Sequence, residues 1–424
     1  TTDLNGIFKL NNVTLNKKHA FVKINKAGFF DGSRTFIASS GKINNVQIRL
    51  LTKTLKGSFT ASTGATINVT VNASVQFPAN AIKNADGSVY SGTVKVYAAF
   101  LDPTDAELFS KMPGDLMGTR TDNSESLLRS FGMLNVELED ASGNKLNIAN
   151  GKEATLSMTV PASLISAAPT SIPLWYFDTN TGVWKEEGTA TLSGNKYIGT
   201  VKHFSWWNCD TPAASAFIKM RLVDLNGHPY SNVWTNLTNI NNGDNRFGFA
   251  DNNGVTQGQV YANQLLKLEV LDACNVYFFI QNIGPFTQNS TTDLGDIVVS
   301  LPSNQISGSY QGKLMDCNSN AVSNGYVIYT YNGRENYVPT DANGNFNFNM
   351  VSCGTTLPIT FTGFDLNNNK LSLEQSIAHS AGAHNIDNII VCEASQEYVN
   401  FQVDGGSMIS IIPPVGTVYF SDFY

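Results

Sequence analysis

The side chains with the most chemical potential are five cysteines, Cys209, Cys274, Cys317, Cys353 and Cys392. Thiolate zinc sites use C-x-x-C pairs or histidines at set spacings, and neither pattern occurs, so metal ligation by these thiols is not expected. In an exported protein an even subset would close two disulfides and leave one thiol over; in a cytosolic one all five would be small core residues. Two disulfides is the favoured reading, with the pairing open. A second group is the phrase Asp-x-Asn-Gly, which starts at Asp3, Asp251 and Asp341. Its oxygens suit calcium, yet the remaining acidic ligands and terminal Glu of a calcium loop are missing. Asp and Asn in such places usually cap a turn with their own side chains while Gly takes positive φ. The turn reading is preferred, calcium is its alternative, and no other cofactor is expected. His379 and His384 lie on a Gly-containing stretch without an H-E-x-x-H pattern or flanking carboxylate, and read as surface-loop residues. No G-x-S-x-G elbow, phosphate-cradling loop or marked carboxylate pair is found, so enzymatic turnover is not expected.

The elements that carry these residues are β-strands. Alternating apolar and polar residues, with turn signals every eight to twelve residues, argue for Greek-key sandwiches. At roughly 100 to 200 residues per domain, 424 residues suggest three or four domains. Charged residues are only 14% of the chain against about 25% in an average protein, and the net charge is −7. With a pI near 5.3 the basic footprint of a nucleic-acid-binding protein is absent. No run of about 18 apolar residues exists, so no membrane-spanning segment is expected here. The chain opens at Thr1 inside a strand-turn-strand pattern and reads as a piece of a longer one. Short helices are expected over Pro103 to Met112, where Asp105 and Glu107 suit the first turn, and over Ala162 to Ala168.

The Asp-x-Asn-Gly phrases mark a repeat. The starts at Asp251 and Asp341 are 90 residues apart, and each phrase is followed 43 to 48 residues later by a short apolar closing strand: Val46 to Leu51, Ile297 to Leu301 and Ile389 to Cys392. The last two copies share an opening phrase, Leu222 to Gly227 and Leu314 to Ser319. Three copies of one sandwich module follow, the first without its opening strands.

Val223 to Val233, Thr340 to Phe346 and Thr2 to Phe8 give this module its resemblance to the carboxypeptidase regulatory-like, or transthyretin-like, domain. In that family the module is an accessory or linker domain, and the resemblance implies fold far more than function. The stretches Val75 to Ile82 and Gly92 to Val96 resemble the sandwich shared by netrin receptors and ankyrins. Leu174 to Asp178, Thr181 to Trp184 and His203 to Asn208 are similar to cartilage intermediate layer proteins and related bacterial surface proteins. The resulting layout is a partial regulatory-like domain at 1–53, a netrin-receptor/cartilage-type region at 54–210, two regulatory-like domains at 211–302 and 303–393, and the start of a further β-segment at 394–424. The expected fold class is all-β, with tandem Greek-key sandwiches in an elongated array.

Some relatives of the netrin-receptor sandwich cut themselves inside a His-Phe-Ser tripeptide, and His203, Phe204 and Ser205 match it. The resemblance would make Ser205 the nucleophile on the Phe204 carbonyl, with His203 moving the proton and a strained peptide lowering the barrier. An ordinary strand is the preferred reading. On a strand Phe204 and Trp206 share one face while Ser205 and Trp207 share the other, so one tryptophan is expected to leave the core. An exposed Trp207 would serve as an inter-domain contact or as a sugar-stacking platform.

Together these features resemble a non-enzymatic cell-surface or secreted protein, of the kind found in Bacteroidetes envelopes, that presents or spaces interaction loops. Other envelope proteins or extracellular polysaccharide are the expected partners, and nucleic acid is not. A glycan-binding module protein and a receptor-like protein self-cleaving at Phe204-Ser205 are the alternatives.

Overall fold

A computed structural model describes residues 2–3, 6–10, 13–16, 19–38, 46–230, 233–251, 253–274, 276–352, 357–394, 399–401 and 409–411. The architecture is all-β. Among the described residues the helical turns are Leu108–Lys111 and the 3-10 turn Ile165–Ala167. Both are shorter than expected. In the first case the side chains of Asp102 and Asp105 accept the backbone N–H groups of Thr104 and Glu107, which favours tight turns over a longer helix.

Between residues 55 and 213 one sheet runs in the order Leu55–Thr60, Thr93–Leu101, Glu125–Glu139, Trp206–Ala213, Ser171–Asp178, Val183–Ser193, Lys196–Val201, Ala154–Thr159, Ala73–Phe77, Ala65–Thr70. The sheet folds over on itself, because Phe59 and Val94 near one end share a core with Phe77, Leu156 and Tyr197 near the other. The central strands are covered on their second face too. There Leu108, Leu128, Met133, Trp175, Phe177, Trp184 and Trp206 form another core, overlaid by Phe21 of the hairpin Ala20–Ile24/Gly32–Phe36. This second core corrects the expectation for Trp207. Trp207 is fully buried in the first core and Trp206 is 6% exposed in the second, so neither tryptophan leaves the interior and Trp207 offers no exposed platform. The strand Trp206–Ala213 is accordingly buried on both faces over its first five residues, although Asn208 and Asp210 stand among them.

The two later copies of the repeat are built alike. The opening strands Ser215–Val223 and Ile306–Asp316 each pair antiparallel with the strand after the Asp-x-Asn-Gly phrase and in parallel with the closing strand of their own copy. Leu222 and Leu314 donate their N–H groups to the carbonyls of Gly254 and Gly344, and isolated bridges join Val223 to Pro229 and Met315 to Ala321. Gly254 and Gly344 both have φ +77°, and a Cβ would lie 2.5 Å and 2.7 Å from the Leu222 and Leu314 carbonyl oxygens, so only glycine fits. At Asp3 the same turn forms, with Gly6 N–H on the Asp3 carbonyl and Ile7 N–H on its carboxylate. Residues 46–51, expected as a closing strand, form no ladder. Arg49 N–H donates to Ser110 and the Leu51 carbonyl accepts from Phe30, since no opening strand of a first copy lies beside them among the described residues.

Cys317 and Cys392 are joined in a disulfide next to the parallel pair Asp316 and Val391. Cys274 is also disulfide-bonded, Cys209 is a free buried thiol, and Cys353 lies outside the described residues. Of the expected terminal segment, Val399–Phe401 pairs antiparallel with Ile409–Ile411.

Candidate functional site

The residues that set one module against the next are charged, in a chain where charge is scarce. The strand Trp206–Ala213 leads into Ser215–Val223 with Ala214 alone between them. Beside this passage Arg129 Nε lies 2.9 Å from Asp244 Oδ1, and Arg246 Nη2 donates to Asp115 Oδ2 at 2.7 Å. The Arg246 guanidinium also sits over the Phe109 ring, and Phe109 meets Phe247 edge-on. From the hairpin, Arg34 donates to the carbonyls of Gly114 and Phe109. Burial pushes the Asp115 carboxyl up, but Arg246 and Arg34 outweigh it and hold Asp115 below the usual carboxylate range. For Asp244 burial wins over Arg129, and its carboxyl is raised.

The apolar contacts follow the same path. Met117 and Leu127 of the large sandwich and Val351 of the last module join the core cluster of residues 216–299. Val351 accepts from Ala273 N–H, and Asn349 Nδ2 donates to the Pro229 carbonyl at 2.9 Å. Under the junction Asp210 is fully buried. Asn208 Nδ2 donates to its carboxylate, and Ser130 Oγ donates to Asn208 Oδ1 at 2.8 Å. Burial holds the Asp210 carboxyl well above the usual range and raises the neighbouring Cys209 thiol, with Asp210 adding to that effect.

Two clefts open beside these contacts. The larger, about 780 Å³, lies where the hairpin, the Met117–Glu125 segment and the outer face of the sheet around Ser215–Val223 meet. Its floor is Phe217, with Gln259 and Thr291 in register on the two flanking strands. The second, about 510 Å³, is lined by His203, Phe204 and Ser205 together with Tyr176 and Asp178. Within it Ser205 Oγ donates to the Trp206 carbonyl at 3.0 Å. The His203 ring lies against Tyr176 and Trp207, and its Nε2 is 3.5 Å from Glu187. Phe204 packs on Phe77, and its N–H donates to Asn147 Oδ1. None of the three residues has positive φ, and His203 is directed at Glu187 and not at Ser205.

The carboxylates of the Asp-x-Asn-Gly phrases are occupied by their own turns. Asp341 Oδ1 accepts the N–H groups of Asn343 and Asn345 at 2.8 Å each, and Asp251 Oδ1 accepts those of Asn253 and Val255. Among the described residues no group of three or more His, Cys, Asp or Glu is placed to hold a metal ion. His379, expected on the surface, is 2% exposed: its Nδ1 meets the Tyr310 hydroxyl, while the His384 ring stacks on Tyr310.

The cleft floor and the ion pairs Arg129–Asp244 and Arg246–Asp115 were not legible as sites from the sequence. One signal was available: Arg129 stands between the apolar pair Leu127-Leu128 and the apolar residues 131–134 of one strand, where an unpaired charge would be costly.

No protein-family model matches the chain. It is 34% identical over 125 residues to cartilage intermediate layer protein 2 of Homo sapiens, which is 28% of this chain and 10% of that protein. It is 25% identical over 195 residues to cartilage intermediate layer protein 1 of Sus scrofa, 42% of this chain and 32% of the relative. The chain thus spans a third or less of these relatives, and the expected similarity to cartilage intermediate layer proteins is present as weak sequence homology. Among solved structures, a shaft pilin of Lactobacillus rhamnosus GG aligns over 43% of this chain and 98% of its own at 7% identity and a TM-score of 0.20. A DUF3823 family protein from Parabacteroides merdae aligns over 43% of this chain at 8% identity and a TM-score of 0.19.

Proposed function

We propose that the chain is a non-enzymatic surface or secreted protein that holds interaction loops at fixed spacing. The observation that carries this reading is the shared core: Met117, Leu127 and Val351 enter the core cluster of residues 216–299 from both neighbouring modules. A single residue, Ala214, separates the strands that pass from one sandwich to the next, too little chain for a flexible linker. Domains joined through an apolar interface of this kind move as one body. The Cys317–Cys392 bond and the bonded Cys274 support an oxidising compartment outside the cytosol. The identity shared with cartilage intermediate layer proteins and the like construction of the two later copies support a matrix or envelope setting built on regulatory-like modules. Other envelope proteins or extracellular polysaccharide are the partners this setting supplies.

Calorimetry on the full chain tests the reading. The account expects residues 55–299 to unfold in one cooperative transition, and Arg246→Ala to split it by uncoupling the two modules. Separate transitions already present in the wild type would remove the basis for fixed spacing.

A further inference from the structure

The middle module closes its core between two sheets. The three-stranded sheet runs Val255–Tyr261, Ser215–Val223, Thr291–Val298, and the four-stranded one Asn245–Phe249, Trp234–Asn239, Leu266–Leu271, Tyr277–Ile283. An uncovered edge strand offers a row of free N–H and C=O groups to any strand that meets it, and proteins blunt such edges with charge, bulges or cover. Three of these four edges are blunted. Asn245–Phe249 carries Arg246 and lies against the large sandwich, where Arg246 bonds Asp115 and Phe247 meets Phe109. Val255–Tyr261 lies beside the strand Glu125–Glu139. Thr291–Val298 carries Asp293 and Asp296 and is interrupted by Gly295 at φ +64°.

The fourth edge differs. From Val276 to Ile283 the chain has no charge, proline or glycine. Tyr277–Ile283 pairs with Leu266–Leu271 on one side and, among the described residues, with no strand on the other. Its bulge lies at the start, opposite Val270 and Leu271, and Phe279 to Ile283 keep a regular register. Ile280, Gln281 and Asn282 are exposed in succession. Successive strand residues point to opposite faces, so exposure of all three means that the edge itself is open. Its flanking side chains are apolar: Ile280 is 59% exposed, and Tyr277 and Val276 are exposed beside it.

We propose that Tyr277–Ile283 pairs antiparallel with the same strand of a second copy of this chain, joining two four-stranded sheets into one of eight. Self-pairing of a charged edge sets like charges near one another, which is destabilising, and this strand has none to oppose. A two-fold axis normal to the sheet puts the free backbone groups of each copy opposite those of the other and brings both Ile280 side chains to one face. A self-complementary contact of this kind closes after two copies and leaves no edge over. A peptide from another protein fits less well. Strand addition draws its specificity from pockets for alternate side chains, whereas neither of the two clefts touches this strand and its exposed side chains stand clear of the surface. This interface goes beyond the spacing role and does not rest on it.

The test is sedimentation equilibrium of the full chain over a dilution series, with hydrogen exchange at both ends of the series. The mass should rise with concentration from 46.0 kDa to that of a dimer and no further. Amides of Tyr277–Ile283 should gain protection as it does so, while those of the charged edge Thr291–Val298 stay unchanged. Ile280→Lys changes an exposed side chain, so the fold is kept, but it sets two ammonium groups together in place of an apolar contact and weakens the dimer roughly tenfold or more. Val71→Lys, on the large sandwich and 95% exposed, leaves it unchanged. A discrete dimer with this protection and this pair of variant results supports the proposal. A monomer at every concentration leaves the edge to a strand of another protein and overturns it. Open-ended assembly, or a dimer indifferent to Ile280→Lys, overturns it as well, and the module junctions stand in every case.

Discussion

Asp210 lies in the sheet interior with Asn208 and Ser130, and its environment favours the neutral acid. A carboxyl raised in the folded state binds its proton more tightly there than in the unfolded chain. Its contribution to stability is full below the unfolded value of about 3.9 and is lost as pH rises toward the folded value, at about 1.4 kcal/mol per pH unit. Asp210→Asn replaces the acid by a neutral group of the same shape. We expect the variant to gain on the wild type as pH rises above about 4, and the two to converge at lower pH. Denaturant unfolding across that range checks this; a constant difference at every pH would contradict it. Legibility at this scale was mixed. The Asp-x-Asn-Gly turns could be read because the carboxylates of Asp251 and Asp341 bond N–H groups two and four residues on, as Asp341 does with Asn343 and Asn345. The burial of both tryptophans could not, because while Trp207 enters the first core, Trp206 is covered by a second core supplied by residues as distant as Leu108 and Trp184.

At the scale of elements, the closing strand of the last copy is held twice. It pairs in parallel with its opening strand, and the Cys317–Cys392 bond closes a 75-residue separation across the same pair. A crosslink over a loop of that length restricts the unfolded chain by about 4 kcal/mol. The Cys317→Ser/Cys392→Ser variant is therefore expected to lose on the order of 4 kcal/mol in denaturant unfolding, with the strands still paired. A loss well below 1 kcal/mol would show that the crosslink does not restrict the unfolded chain to this extent. The opening and closing strands of the two later copies were legible in the alternation of residues and the spacing of the turn phrases. The fate of residues 46–51 was not. An apolar stretch becomes a strand only where a partner stands beside it, and partner choice is a long-range property.

For the whole molecule the account depends on junctions that no local pattern announces. Arg246 and Asp115 are 131 residues apart, and Arg129 meets Asp244 across a similar stretch of chain. What the sequence did show is that charge is scarce, which makes each charge set among apolar neighbours worth following to its partner. The central claim is that the modules keep one fixed arrangement. It is tested most directly by spin labels on Val71→Cys and Leu373→Cys, two exposed positions in the large sandwich and the last module, with the native disulfides intact. Pulsed dipolar spectroscopy should return a single narrow distance distribution. A broad or multi-peaked distribution in the wild-type background would contradict the account.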